Sequence, residues 1–132
     1  MINTIEQFGR NAGKIWNVLY ENNLLTDIEL KELTSLREYE LYIAIGWLAK
    51  ENKIRKDGEY FKLDDTNLGN EIGENAGLIW RILKNEGDIE IHSLVYKLQI
   101  NENDIYSAIG WLARENKIKI KKNIYTKFYK KI

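Results

Sequence analysis

The sequence predicts a mainly α-helical fold with small β-hairpin wings, in which a three-helix core plus hairpin is built twice in tandem. Three observations predict it. Residues 44–54 read Ala-Ile-Gly-Trp-Leu-Ala-Lys-Glu-Asn-Lys-Ile, and residues 108–118 repeat that phrase with one change, Arg114 for Lys50. The same offset of 64 carries Gly9-Arg-Asn-Ala-Gly-Lys-Ile-Trp16 onto Gly73-Glu-Asn-Ala-Gly-Leu-Ile-Trp80. Around both phrases, apolar residues recur at helical spacing and then give way to extended runs broken by turn residues. Two matches at one offset mean two copies of one unit. The copies are expected over residues 1–64 and 65–132.

Thr4-Ile-Glu-Gln7 matches a capping box, and Ile5, Phe8, Ala12, Ile15, Trp16 and Leu19 follow on one stripe. This predicts a first helix ending between Tyr20 and Asn23. Leu24–Thr26 suits a short strand. A second helix is expected over 28–34, with Asp27 as N-cap and Leu30 and Leu33 inward. After a turn at 35–37, a third helix runs from about Glu38 to Glu51 with Leu41, Ala44, Ile45 and Leu48 on one face. Extended runs 53–56 and 59–63 meet at Asp57-Gly58, a two-residue hairpin signal. The second copy repeats the order. Its first helix carries Leu68, Ile72, Ala76, Ile79, Trp80 and Leu83 and stops at Gly87. A short strand over 88–91 and a helix over 93–99 come next. Asn101 then caps a third helix reaching Glu115, with Ile105, Ala108, Ile109 and Leu112 inward. Runs 117–120 and 124–128 close a hairpin around 121–123. Only the short stretch Asp64–Leu68 links the copies, so they are expected to sit close.

Helix, short strand, helix, turn, helix, hairpin is the order of a winged helix-turn-helix. In the stretches 72–80 and 108–118 and their first-copy equivalents, the chain resembles the small bacterial winged helix-turn-helix family of uncharacterised proteins. The resemblance covers almost the whole chain as two copies. It implies a winged-helix fold and a nucleic-acid-binding role, and brings no catalytic residues. A single-copy relative would pair with itself, so the second copy here is expected to take that partner's place as a pseudo-dimer within one chain.

At 132 residues, each copy is near the size at which one core is marginal. Cysteine is absent and His92 is the single histidine, so disulfides, Cys-based metal sites and His clusters are excluded. No nucleophile–base set, P-loop or dinucleotide motif is present, so neither an enzyme nor a cofactor is expected. Without an 18-residue apolar run or a signal-peptide pattern, the chain is expected to be soluble and cytoplasmic, with no membrane partner. Twenty basic residues balance twenty acidic ones, which gives no general attraction to nucleic acid. The charge is uneven, however. Residues 1–66 hold 9 basic and 12 acidic side chains, and residues 114–132 hold 8 basic and 1 acidic. A polyanion should find the C-terminal end first.

In a winged helix-turn-helix the third helix enters the major groove and the wing meets phosphate. On the outward face of its third helix, copy one offers Tyr39, Ile43, Trp47 and Lys50, with Glu38 and Glu40 at the start. Such a face suits a protein contact, against the other copy or another subunit. Copy two offers Asn103, Ser107, Trp111 and Arg114, then Lys119, Lys121 and Lys122 on its wing. Asn103, Ser107 and Arg114 are the candidate base contacts and the three lysines the candidate phosphate contacts, with Glu102 and Asp104 counting against them. Gly13, Gly46, Gly77 and Gly110 stand mid-helix, where glycine costs about 1 kcal/mol against alanine. A close helix crossing under Trp16, Trp47, Trp80 and Trp111 would explain all four, and a ligand groove is the less economical reading. Two functions follow: a nucleic-acid-binding, regulatory protein whose partner is double-stranded DNA, or a protein-interaction module using Tyr39, Ile43 and Trp47.

Overall fold

In the computed structural model, residues 4–121 and 127–130 are described, with side chains through residue 120. Copy one runs α1 (Thr4–Asn22), β1 (Leu25–Thr26), α2 (Asp27–Thr34), α3 (Glu38–Lys50), β2 (Ile54–Asp57) and β3 (Tyr60–Leu63). Copy two runs α4 (Gly69–Glu86), α5 (Ile91–Leu98), α6 (Glu102–Arg114), β4 (Ile118–Lys121) and β5 (Lys127–Lys130). Each copy is thus three helices and an antiparallel hairpin. In copy one β1 joins the hairpin as a third strand, in the order β1-β3-β2 with Leu25 opposite Phe61. No helix among the described residues is long and apolar enough to cross a membrane.

The local rules mostly predict these bounds, and where they miss, a nearby side chain explains why. The N-cap of α2 is Thr26 rather than Asp27. Its hydroxyl accepts from the Glu29 N–H while the Glu29 carboxylate accepts from the Thr26 N–H, which meets two orphan donors at once. Leu30 is fully buried but Leu33 is half exposed, because Leu36 from the following turn is buried in this core. The first hairpin turns at Gly58–Glu59, one residue later than the Asp-Gly signal suggested, since Asp57 pairs with Tyr60. Gly58 lies at φ 61°, as the first position of a type II′ turn requires. In copy two the strand expected over 88–91 shrinks to one bridging residue, Ile89, and α5 starts earlier, at Ile91. The second strand of the second hairpin is described at Lys127–Lys130; the part of the expected run 124–128 that precedes residue 127 lies outside the described residues. Lys121 pairs with Lys127, and the turn expected over 121–123 lies largely outside the described residues.

Two cores form, and they exchange side chains. Copy one's core of Ile15, Leu19, Leu30, Leu41, Leu48 and Ile54 also takes in Ile72 from α4. Copy two's core of Ile79, Leu83, Leu94, Ile105, Ile109 and Leu112 takes in Phe8 from α1 and Ile43 from α3. Phe8 and Ile72 are equivalent under the 64-residue offset, so the exchange is reciprocal. The linker is pinned as well: Asn52 bonds Asp65 and the Thr66 N–H, and Asn67 bonds both the N–H and the carbonyl of Lys56.

Gly13 and Gly77 are exposed on α1 and α4, and no heavy atom lies within 4 Å of where a Cβ would stand. The close crossing expected of them is therefore absent. Gly13→Ala and Gly77→Ala should each raise stability, by about 0.5–1 kcal/mol in urea unfolding. A fall for either would show a contact that this geometry lacks.

Candidate nucleic-acid interface

The third helices, α3 and α6, pack face to face. Tyr39 meets Tyr106 at their N-terminal ends, with ring centroids 5.7 Å apart. At the centre, Gly46 lies against the Ser107 carbonyl and Gly110 against the Ile43 carbonyl. At the C-terminal ends, the Arg114 Nε donates to Glu51 at 3.0 Å and Lys50 pairs with Glu115 at 3.6 Å. Start meets start and end meets end, so the two helices run in the same direction. The absence of side chains at Gly46 and Gly110 is what lets the backbones touch. The expected crossing is thus correct for these two glycines. The tryptophans lie elsewhere than expected: Trp47 covers Gly9 at 3.1 Å and Trp111 covers Gly73 at 3.3 Å, measured to the site of an added Cβ.

This interface explains why the repeated phrase differs so little between copies. Around a two-fold, a residue on one side meets its counterpart's surroundings on the other. Lys50 lies over the Trp111 ring at 5.0 Å and Arg114 over the Trp47 ring at 5.8 Å. Lys50 and Arg114, the one difference in the phrase, therefore do the same job. Parallel alignment also brings two positive helix ends together. Glu38, Glu40, Glu102 and Asp104 stand in those first turns, where their charge is favourable. Glu40 accepts from the Arg37 N–H, Asp104 bonds the Asn101 cap, and Glu38 pairs with Lys31 at 3.0 Å. Of the carboxylates that count against DNA at these ends, Glu38, Glu40 and Asp104 thus have structural partners.

Ile43 is fully buried and Trp47 and Tyr39 are half-buried against copy two. The proposed protein face is therefore occupied within the chain. Ser107 is buried against Gly46 and cannot reach a base, which corrects its assignment. Its outward position on an isolated helix is the inner face of the pair. Arg114 is half exposed but engaged with Glu51 and Trp47. Asn103 lies half-buried on a polar cleft of about 570 Å³ between the two helix starts, beside Arg37, Glu38, Tyr39, Glu102 and Tyr106. Lys119 is exposed on β4, and Lys117 lies 5.8 Å from the Trp80 ring. Lys121 ends β4, and Lys122 lies outside the described residues. His92 is exposed in the first turn of α5. Among the described residues no group of His, Asp and Glu could hold a metal.

A major groove about 12 Å wide admits one helix of roughly 10–12 Å diameter. Two helices packed side by side are about twice too wide. The middle of the face that the usual groove reading needs free is, in each third helix, turned toward the other copy. The signal that sequence reading missed is the exchange of Phe8 and Ile72, which had been assigned to their own copies. Their equivalence under the offset was visible, but only packing shows into which core each points.

Comparison with known proteins agrees with this architecture. The family described as Winged helix-turn-helix domain (DUF2582) matches residues 3–62 and again residues 64–130. The uncharacterized protein MJ1608 of Methanocaldococcus jannaschii is 37% identical over 59 residues, which span 43% of this chain and 84% of that protein. The relative is therefore about the size of one copy, and since it is archaeal, the likeness reaches beyond bacteria. No solved structure matches. On a match that repeats across nearly its whole length, this chain belongs to the winged helix-turn-helix family DUF2582, two copies of which it carries as a pseudo-dimer.

Proposed function

We propose that this is a nucleic-acid-binding protein that holds duplex DNA by its phosphates through the wing of copy two, and does not read bases with its third helices. The observation that carries the reading is charge. Eight basic residues against one acidic lie between Arg114 and the C-terminus, on and beside a hairpin that winged helices place against phosphate. Lys119 is exposed there. Arg114 and Lys117 are drawn into pairs with Glu51 and Glu115, which leaves six of the eight; of these, the wing lysines 119, 121 and 122 are the candidates, with Lys127, Lys130 and Lys131 following in the sequence. Burial of α3 against α6 confines the contact to the backbone, which favours low sequence preference. Copy one, acidic overall, positions copy two.

Fluorescence anisotropy with mixed labelled duplexes tests this. Each phosphate contact contributes about −0.9 to the slope of log affinity against log salt. Three contacts predict a slope near −3, and Lys119→Glu should remove roughly one unit of it. Lys121→Glu with Lys122→Glu should abolish binding at moderate salt and leave the thermal midpoint unchanged. An absence of binding at low salt would sink the reading.

A further inference from the structure

Copy one carries a feature that copy two lacks. Trp16 and Tyr20 stack on the solvent side of α1, with ring centroids 5.2 Å apart and planes within 9°. Trp16 is 37% exposed and Tyr20 69%. An open cleft adjoins each ring. One, of about 300 Å³, is floored by Gly9, Ala12 and Gly13 and walled by Trp16, Trp47 and Lys53. The other, of about 440 Å³, lies between Tyr20, Asn23, Leu24 and Lys62. A bare Gly13 is thus unexplained by helix packing but keeps the first cleft open.

We propose that this stack is a binding platform for single-stranded nucleic acid, with a base entering each cleft to extend the two-ring stack. This rests on the nucleic-acid reading above, but on a different surface. Aromatic rings bind successive bases whatever their identity, and nearby cations hold the backbone. Lys53 and Lys62 stand at the clefts, and Arg10 and Lys14 are exposed on the same helix. Asn17 and Asn23, also on the cleft walls, can donate to and accept from base edges. Glu51 is the carboxylate at the first cleft, and both Arg114 and Lys53 pair with it. Lys62 pairs with Asp64 at 3.7 Å across exposed surface, an association weak enough for a phosphate to replace. A protein partner fits less well, because the apolar atoms form a narrow strip broken by Arg10, Asn17, Glu21 and Asn23 rather than a continuous patch. Copy two has Lys84 and Asp88 where Tyr20 and Leu24 stand, and its Trp80 is capped by Lys117. The platform therefore belongs to copy one alone.

The test uses the full chain with labelled twelve-nucleotide oligo-dT and oligo-U, following anisotropy and quenching of tryptophan emission. The expected result is binding that quenches emission and is weakened about tenfold or more by Trp16→Ala with Tyr20→Ala, while Tyr20→Phe binds normally. Tyr20 is mostly exposed but Trp16 only 37%, so a modest fall in the thermal midpoint is expected of the double variant, and binding is compared well below that midpoint. Duplex binding should depend on Lys119 and be unmoved by the double variant. Single-strand binding that is lost with the rings supports the platform even if duplex binding fails. Duplex binding without single-strand binding, or single-strand binding indifferent to the rings, overturns it and leaves the wing reading standing.

Discussion

Gly46→Ala is expected to lower stability by about 3 kcal/mol or more, the upper range for overpacking. Alanine normally stabilises a helix over glycine, by about 1 kcal/mol. Here the added methyl group would overlap the Ser107 carbonyl oxygen, with its carbon and Cα close behind. A flexible side chain could swing away, but a backbone carbonyl inside a helix cannot. The helices must separate at their centre, and the interlock of Tyr39, Ile43, Trp47, Tyr106 and Trp111 across them loosens. Gly110→Ala meets the Ile43 carbonyl in the same way and should behave alike. For a chain of this size the thermal midpoint should fall by roughly 10 °C, whereas Gly13→Ala on the open face should raise it. Calorimetry on the three variants decides the matter. If Gly46→Ala leaves the midpoint within about 2 °C, the helices do not touch as described.

Residues 65–132 expressed alone should not persist as a folded monomer. Copy two's core would lose Phe8 and Ile43, both almost fully buried, worth about 1.5–3 kcal/mol each. A domain of this length has only roughly 3–10 kcal/mol of stability in all. The fragment would also expose Ser107, Gly110 and Trp111 along α6. The phrase 108–118 matches 44–54 at all but one position, although Asn103 and Ser107 stand where α3 has Tyr39 and Ile43. Self-pairing is the economical solution, and it suits a relative about one copy long. Sedimentation should show a dimer, and the thermal midpoint should rise with protein concentration. A monomer that melts independently of concentration would mean that each copy suffices alone.

The candidate site was less legible than the fold. Position on the outer face of a single helix put Ser107 with Asn103 and Arg114 as base contacts, and that inference treats the helix as alone. Once α3 and α6 pair, the middle of that outer face, at Ile43, Gly46, Ser107 and Gly110, is buried. Trp16 was read as core because tryptophan at helical spacing next to Ala12 and Ile15 looks like core. Its placement about a quarter turn off the centre of the buried stripe, with Tyr20 stacked upon it, could not be separated from that pattern by spacing alone.

By itself the sequence determined what depends on near neighbours and on repetition. The two units come from the internal repeat, the helices from apolar periodicity, two of their ends from Asn101 and Gly87, and the first hairpin turn from Gly58. The linker's shortness kept the copies together. Tertiary structure alone decided how the copies meet: in parallel, backbone against backbone at Gly46 and Gly110, with Phe8 and Ile72 exchanged between cores. The physical reason is that helix formation and capping are settled within a few residues. Which apolar face covers which depends on the shape of a surface assembled from residues 64 apart, and no local pattern carries that shape.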